Sequence, residues 1–346
     1  MADKIRWGII GTGKIATEFA TGLTVLPEAE LVAVGSRTAE SANQFADMFG
    51  APHRHASYEA LANDPSVDVV YVATPHTLHK ENSLLCLQAG KAVLCEKPFT
   101  INAAEAEAVI QFAREKKLFL MEAMWTRFLP LVVKLRQLLA DRVIGDVQML
   151  VADLGFRADF DPLHRLFDPQ LGGGALLDLG VYPVSLASMI FGPPSRITSM
   201  AQFGETGVDE QAAIILGYDQ DRLATLYTSL RTDTPREAIL LGTKGRIRIH
   251  AQMFRPTKLA LSLTGEEDNI IEMPLEGNGY NYEAAEVMRC LQAGKLESDT
   301  MPLDETLAIM KTMDQIRAQC GLKYPMEAPP FIPPIGGERG GRTTKN

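Results

Sequence analysis

The chain has 346 residues, of which 46% are hydrophobic and 22% are charged, and its formal net charge is −9. This length predicts two domains with a substantial core, and the apolar content excludes disorder for most of the chain. The acidic balance speaks against sequence-independent nucleic-acid binding, which needs a basic face.

Strand-like and helix-like runs alternate over the first third of the chain. Strands are predicted at 5–10, 30–35, 67–73, 92–95 and 118–121, and helices at 14–23, 39–49, 77–89 and 102–117. The run VDVVYVA at 67–73 is typical of a strand that is buried on both faces. This rhythm predicts a doubly wound parallel sheet of the Rossmann type over residues 1–123, which would be the NAD(P)-binding domain.

The pattern changes after Phe128. A helix at 129–140 and a strand at 147–154 lead into the turn Gly172–Gly174 and a further helix. Strands with short connections follow at 196–203, 210–218, 222–229, 236–241, 246–250, 258–263 and 269–273, and then helices at 282–293 and 303–319. Consecutive strands predict an α+β substrate-binding domain over 124–328, with a large, mostly antiparallel open sheet. The Pro- and Gly-rich tail 329–346 is expected to be loosely held.

A glycine loop joins the first strand to the first helix. Its sequence has the form G-x-G-x-x-A and runs Gly11-Thr12-Gly13-Lys14-Ile15-Ala16. The first glycine permits a tight turn, the second lets backbone N–H groups approach a pyrophosphate, and the small alanine lets helix and strand pack closely. Residues 11–15 are therefore candidate cofactor-binding residues, against the alternative of a plain tight turn.

The end of the second strand indicates which dinucleotide binds. An NAD enzyme normally carries Asp or Glu there, whereas this chain has Ser36 and Arg37. A hydroxyl and a guanidinium suit a 2′-phosphate, because Arg offers charge-assisted hydrogen bonds. NADP is therefore favoured over the alternative of a solvated arginine. NAD stays possible, since Arg can also stack on adenine.

Further motifs stand at strand ends and in the second domain. They are Thr74-Pro75-His76 with His79, Glu96-Lys97-Pro98, the run Glu122–Phe128 and the run Asp178–Pro183. Together with the glycine loop they resemble the Gfo/Idh/MocA oxidoreductase family, and within it the branch of dihydrodiol, NADP-dependent D-xylose and glucose–fructose enzymes. The resemblance implies cofactor contacts at Thr74, Pro75, His76, His79 and Glu96. It also implies a homodimer or homotetramer formed through the open sheet.

The residues themselves support a catalytic group. His76 and Lys97 lie beyond the carboxyl ends of parallel strands, where ligands bind, and Pro98 holds Lys97 extended. Asp178 and Tyr182 are four residues apart and share a helix face, although Pro183 suggests a kink at Tyr182. The alternatives are a surface lysine, a helix cap and a core tyrosine.

The hypothesis assigns a role to each residue. Tyr182 accepts the hydroxyl proton, Lys97 lowers the phenol pKa towards neutrality, and Asp178 holds a substrate hydroxyl. Lys97, Asp178 and Tyr182 would thus bind substrate as well, in a pocket walled by Trp125, Arg127 and Phe156. Trp125 and Arg127 are also candidate cofactor contacts, and Trp125 could equally be core. His164 is interpreted as a loop histidine.

These observations favour an NADP-dependent dehydrogenase acting on an aldose or a cyclic vicinal diol. A keto-sugar reductase and a non-catalytic NADP-binding regulator are the alternatives. No metal and no membrane partner are expected. The apolar stretch 179–196 is interpreted as a buried helix, and four dispersed cysteines without an N-terminal apolar segment predict free thiols in the cytoplasm.

Overall fold

The computed structural model describes residues 4–327, so the predicted loose tail at 329–346 lies outside the described residues. The strands are β1 (Ile5–Ile10), β2 (Ala29–Gly35), β3 (His53–His55), β4 (Val69–Val72), β5 (Ala92–Glu96), β6 (Leu120–Ala123), β7 (Val147–Gly155), β8 (Arg196–Phe203), β9 (Asp209–Gly217), β10 (Leu223–Ser229), β11 (Ala238–Gly242), β12 (Gly245–Ile249), β13 (Lys258–Leu263) and β14 (Asn269–Glu272). The helices are α1 (Lys14–Leu23), α2 (Ala39–Phe49), α3 (Tyr58–Ala62), α4 (His79–Gln88), α5 (Ala103–Lys116), α6 (Pro130–Ala140), α7 (Val181–Phe191), α8 (Tyr280–Gln292) and α9 (Leu303–Cys320).

The first sheet is parallel, with the strand order β3-β2-β1-β4-β5-β6. Every residue of β4 is buried, which explains its β-branched sequence, because both faces of the strand are covered by other elements. The strand order reverses between β1 and β4, and such a switch point opens a crevice at the carboxyl ends of the strands. The predicted Rossmann architecture is confirmed, although β3 and α3 were not predicted because both are very short.

The second sheet has the order β14-β13-β12-β11-β7-β10-β9-β8. Only β7 and β10 pair in parallel within it, and the other neighbours are antiparallel. The predicted mostly antiparallel α+β domain is therefore confirmed. One face of this sheet buries Leu150, Leu226 and Leu240 in the core on the side of α7.

The last two helices pack across the predicted boundary between the domains. Asn278, just before α8, donates to the backbone oxygen of Glu18 in α1 at 2.7 Å. In α9, the hydroxyl of Thr306 donates to Glu122 Oε2 in β6 at 3.0 Å. The C-terminal part of the chain thus holds the two sheets together. The predicted domain limits, 1–123 and 124–328, stay a prediction.

The segment that carries Asp178 and Tyr182 is an irregular helix. A π-helical turn, Leu176–Gly180, runs directly into α7. Pro183 lies in the first turn of α7, where a missing N–H leaves few helix hydrogen bonds unmade. The irregularity therefore falls one turn before Tyr182 rather than at it. Among the described residues, Pro169–Phe191 is the one helical stretch long and apolar enough to cross a membrane, and 72% of its most apolar window is buried inside the fold.

Candidate active site

The glycine loop leaves space in front of the first residues of α1. Gly11 has φ of +95°, and a Cβ there would come within 2.7 Å of the Ala73 carbonyl oxygen, so only glycine permits this approach to β4. A Cβ on Gly13 would meet nothing within 4 Å. The N-terminus of α1 has no side-chain cap and no acidic residue in its first turn. Its free N–H groups therefore fit a dinucleotide pyrophosphate.

The two residues that follow β2 differ in exposure. Ser36 is buried, and its hydroxyl lies 3.3 Å from that of Thr12 in the glycine loop. Arg37 is exposed and has no ion-pair partner within residues 4–327. A hydroxyl and an unpaired guanidinium at this place fit the predicted 2′-phosphate contact.

His79 has a structural position rather than the predicted contact with cofactor. It is fully buried, and its Nδ1 and Nε2 lie 2.9 Å from the carbonyl oxygens of Pro98 and Thr74, respectively. Burial lowers the pKa of His79 to about 4. The neutral ring donates to one of these two carbonyl oxygens and packs between the loop after β4 and the loop after β5. Pro75 leads from Thr74 into the short helix that begins at His76.

Lys97, Asp178 and Arg165 form a charged centre at the carboxyl ends of β4 and β5. Lys97 Nζ donates to the Asp178 carbonyl at 2.8 Å and to its Oδ1 at 3.1 Å. Arg165 donates to Oδ1 at 2.9 Å and to Oδ2 at 3.3 Å, and His76 Nε2 lies 3.7 Å from Oδ1. Burial acts to raise the pKa of Asp178, but Lys97 and Arg165 outweigh it and hold that pKa well below its ordinary value.

This arrangement changes the role predicted for Asp178. Both carboxylate oxygens of Asp178 accept hydrogen bonds from cationic side chains. Asp178 therefore orients Lys97 rather than binding a substrate hydroxyl. Arg165 was not predicted from the sequence, because it lies in an irregular loop with no periodic or motif signal. Only the fold brings that loop over the end of β5.

Tyr182 faces Lys97 as its predicted helix face requires. Its ring centroid lies 5.0 Å from Lys97 Nζ, and its hydroxyl accepts a hydrogen bond from Trp125 Nε1 at 3.1 Å. Burial raises the pKa of Tyr182, while the Lys97 ammonium acts in the opposite direction. The predicted lowering towards neutrality is therefore absent in this state, and the phenol is protonated at neutral pH.

Aromatic side chains surround this hydroxyl. Trp125 stacks on Tyr280 from α8, with ring centroids 4.3 Å apart and planes 2° from parallel. Phe156 belongs to the same small apolar cluster as Tyr182. Trp125 and Phe156 thus both lie next to Tyr182, and their role as a pocket wall stays a prediction. Tyr280 was not predicted, since nothing in the sequence relates the start of α8 to Trp125.

Two other predicted residues lie behind the site. Arg127 is only 3% exposed, and its guanidinium bonds Ser185 and pairs with Glu305 at 2.7 Å. It therefore braces α7 and α9 instead of meeting cofactor or substrate. Glu96 accepts from the backbone N–H of Lys97 at 3.1 Å and from the Tyr71 hydroxyl, so it positions the strand end. His164 is exposed in a loop, as expected.

Comparison with known proteins shows the family to which this chain belongs. Residues 5–124 match the model of an oxidoreductase family with an NAD-binding Rossmann fold, and residues 132–248 match the GFO/IDH/MocA C-terminal domain. The chain belongs to the Gfo/Idh/MocA family. This Gfo/Idh/MocA chain is therefore an oxidoreductase with a nicotinamide-dinucleotide domain, which confirms the resemblance in its sequence motifs.

Several relatives align along nearly the whole length of this Gfo/Idh/MocA chain. A trans-1,2-dihydrobenzene-1,2-diol dehydrogenase of Mus musculus is 40% identical over 335 residues, which cover 93% of this chain and 99% of the mouse protein. A D-xylose 1-dehydrogenase (NADP(+)) of Hypocrea jecorina is 38% identical over 365 residues, with 93% of each chain covered. Among solved structures, a 3-ketoreductase from Actinomadura kijaniata in complex with NADP and TDP-benzene has a TM-score of 0.84 and 25% identity, and the match covers 92% of this chain and 98% of that one.

Proposed function

We propose that this Gfo/Idh/MocA protein is an NADP-dependent dehydrogenase that oxidises a carbinol carbon of an aldose or of a cyclic vicinal diol. The observation that carries the proposal is the convergence of Lys97, Asp178 and Tyr182 beside the crevice of the first sheet. The dihydrodiol and D-xylose dehydrogenases named above support these two substrate classes. Both classes present a secondary hydroxyl next to another oxygen.

Tyr182 is the group that takes the substrate proton in this proposal, once its phenol has released its own proton to solvent. Its hydroxyl accepts a hydrogen bond from Trp125, and the Lys97 ammonium lies 5.0 Å from its ring centroid, so a phenolate formed there would be stabilised by both groups. When bound, the oxidised nicotinamide supplies the hydride acceptor and a positive charge. Asp178 keeps Lys97 aimed at the phenol, and the aromatic wall excludes water from it.

NADP is the proposed dinucleotide. Arg37 is exposed and unpaired within the described chain, and Ser36 and Thr12 place hydroxyls beside it. The H. jecorina relative is named for NADP(+), and the A. kijaniata structure holds NADP. An acidic residue that would repel a 2′-phosphate is absent at this position of the sequence.

The experiment is a panel of aldoses, inositols and dihydrodiols, followed by reduced-nicotinamide absorbance. We expect turnover with at least one class and a loss of about 10²–10⁴-fold in kcat for Tyr182→Phe, with NADP affinity retained. The matched control is Tyr218→Phe, because Tyr218 packs against Phe191 at the opposite end of α7. Near-normal turnover by Tyr182→Phe contradicts the proton assignment.

Reduction of a keto-sugar is a second candidate activity. A protonated Tyr182, held so by burial, is ready to donate a proton to a carbonyl oxygen. The similarity to a 3-ketoreductase favours the same direction. Oxidation of NADPH by keto-sugars, with no reduction of NADP by any alcohol in the panel, would make this the better description.

Self-association through the open face of the second sheet completes the proposal. The side away from α7 carries apolar side chains on the neighbouring strands β11, β7, β10, β9 and β8 and on β14, whereas β12 presents Arg246 and Arg248 there. The apolar side chains are Met149, Val151, Met200, Ile215, Leu223, Ile239 and Ile270. Met200 is 69% exposed and Ile215 is 48% exposed. An apolar sheet face of this extent is typical of an interface, so a homodimer or homotetramer is proposed.

A further inference from the structure

A second cluster of ligating side chains lies at the outer edge of the first sheet. β3 is the edge strand, and His53 and His55 are two residues apart on it, so both imidazoles project from the same side of the strand. The side chain of Asp64, which follows α3, reaches both rings. No metal was expected from the sequence, although His53-Arg54-His55 is a His-x-His pair, so this expectation is corrected here.

The three groups converge on a common point. His53 Nδ1 lies 2.6 Å from Asp64 Oδ2, and His55 Nε2 lies 2.9 Å from the same oxygen. The ligating atoms are all within 4.8 Å of one another. The Asp64 side chain is 4% exposed, whereas those of His53 and His55 are 41% and 21% exposed. The cluster is therefore anchored in the protein at the carboxylate and open to water at the imidazoles.

We propose that His53, His55 and Asp64 bind a divalent transition-metal ion of the Zn²⁺ type. Two imidazole nitrogens and one carboxylate oxygen are a common zinc ligand set, with water in the fourth position. Ligand distances of about 2.0–2.2 Å require ligating atoms roughly 3.3 Å apart in a tetrahedral site. Opening the two present contacts to that spacing moves each ring by less than about 1 Å, which the exposed imidazoles permit.

Neighbouring groups hold the carboxylate in place. Asp64 Oδ1 accepts a hydrogen bond from the backbone N–H of Ser66 at 2.8 Å. Lys91 Nζ donates to the carbonyl oxygens of Asp64 and Val67 at 2.6 and 2.8 Å and so fixes the loop. Such outer contacts orient metal ligands. The Lys91 ammonium also opposes a cation, and no thiolate is present in the cluster, so the metal is expected to load reversibly.

The site borders the cofactor crevice without entering it. β3 pairs with the end of β2, and the backbone N–H of Ser36 donates to the His55 carbonyl at 3.1 Å. A metal here would restrain the strand next to the loop that is proposed to take the 2′-phosphate. The proposal concerns binding and local order, and it does not depend on the proposed reaction.

The test uses untagged, full-length protein freed of metal with a chelator. Co²⁺ is titrated while its visible absorption bands are recorded, Zn²⁺ is then added to displace it, and thermal unfolding is measured with and without Zn²⁺. We expect saturable binding of one ion per chain and a higher Tm with Zn²⁺, because the ligands come together only in the folded state. His53→Ala and Asp64→Asn should each weaken binding at least 10-fold.

Arg54→Ala is the matched control, because Arg54 lies between the two histidines on β3 and pairs with Asp47 instead. It should bind Co²⁺ and Zn²⁺ as the parent chain does. Melting curves without metal verify that each variant folds. No saturable Co²⁺ spectrum in the parent chain, or equal binding by His53→Ala and the parent, overturns the proposal and leaves the cluster as a hydrogen-bonded brace.

Discussion

At the scale of single residues, the site is governed by how buried charges are balanced. Asp178 lies between Lys97 and Arg165, and burying that carboxylate would be costly without those two cations. Burial lowers the pKa of the neighbouring His76 to about 3, so that ring is neutral. The same ion pairs set the direction in which Lys97 points. A carboxylate that looked like a substrate ligand in the sequence is thus a positioning group, because its neighbours in space decide its role.

Arg37 provides a residue-scale test of cofactor choice. Arg37→Ala removes an exposed guanidinium that no described residue pairs with, so the fold should not change. We expect NADP to bind about 10- to 100-fold more weakly, which is the loss of one charged hydrogen-bonding group. NAD affinity should stay within about threefold, since its ribose carries no 2′-phosphate. Titration of protein fluorescence with each dinucleotide measures both values, and equal losses would contradict the 2′-phosphate contact.

Glu122 provides a residue-scale test of pH dependence. Burial raises the pKa of Glu122 to about 7, while Thr306 donates to its Oε2. The folded state therefore keeps a proton that the unfolded state releases above about pH 4.5, and stability should fall as the pH rises from there to about 7. Over this range the free energy of unfolding of the parent chain should fall by an amount on the order of 2–3 kcal/mol through Glu122. This fall should be absent in Glu122→Gln.

Urea unfolding at intervals from pH 4.5 to 8 checks this prediction. The control is Glu115→Gln on the exposed side of α5, which should follow the parent profile. A Glu122→Gln variant whose profile has the same slope as that of the parent chain would contradict the raised pKa of Glu122.

At the scale of elements, the π-helical turn before α7 depends on a buried carboxylate. Asp209 Oδ2 accepts from the backbone N–H of Leu176 at 2.7 Å, at the first residue of that turn. Gly174 has φ of +115°, and a Cβ there would lie 2.2 Å from Asp209 Oδ1. The glycine at position 174 therefore permits the close approach of the Asp209 carboxyl group. The turn that follows positions Asp178, which comes two residues after Leu176.

Gly174→Ala should disturb this element. We expect the free energy of unfolding to drop by about 2–4 kcal/mol, because backbone strain adds to a steric overlap with a buried group. Gly207→Ala is the control, since Gly207 also has positive φ but its Cβ would meet nothing within 4 Å, so its cost should be about 1–2 kcal/mol. Urea denaturation measures both, and equal costs would contradict the proposed overlap.

At the scale of the whole molecule, α8 and α9 join the two sheets, while one face of the second sheet stays open. α8 brings Tyr280 against Trp125, and one continuous core joins the two sheets to α8 and α9. The open face of the second sheet carries the apolar side chains of the proposed interface between copies of the chain.

Ile215→Lys tests that assignment. Ile215 lies on β9, next to the edge strand β8, where it stands opposite Thr225 and Thr198 and is 48% exposed. Burying a lysine there would cost more than the contact contributes. We expect the mass in light scattering to fall to that of one chain, 37.9 kDa. Met48→Lys, on an exposed position of α2, should leave the mass unchanged. A parent chain that already runs as a monomer would contradict the assembly.

The sequence by itself determined the two sheet types, the phosphate loop and the group Lys97, Asp178 and Tyr182. Those depend on local periodicity, on glycines at turns and on residues that stand at strand ends, which all read directly along the chain. Only the tertiary structure decided that Arg165 pairs with Asp178, that Arg127 and His79 face inward, that Tyr280 stacks on Trp125, and that Asp64 joins His53 and His55. The reason is that charge balance and burial arise between residues far apart in sequence, and packing alone brings such residues together.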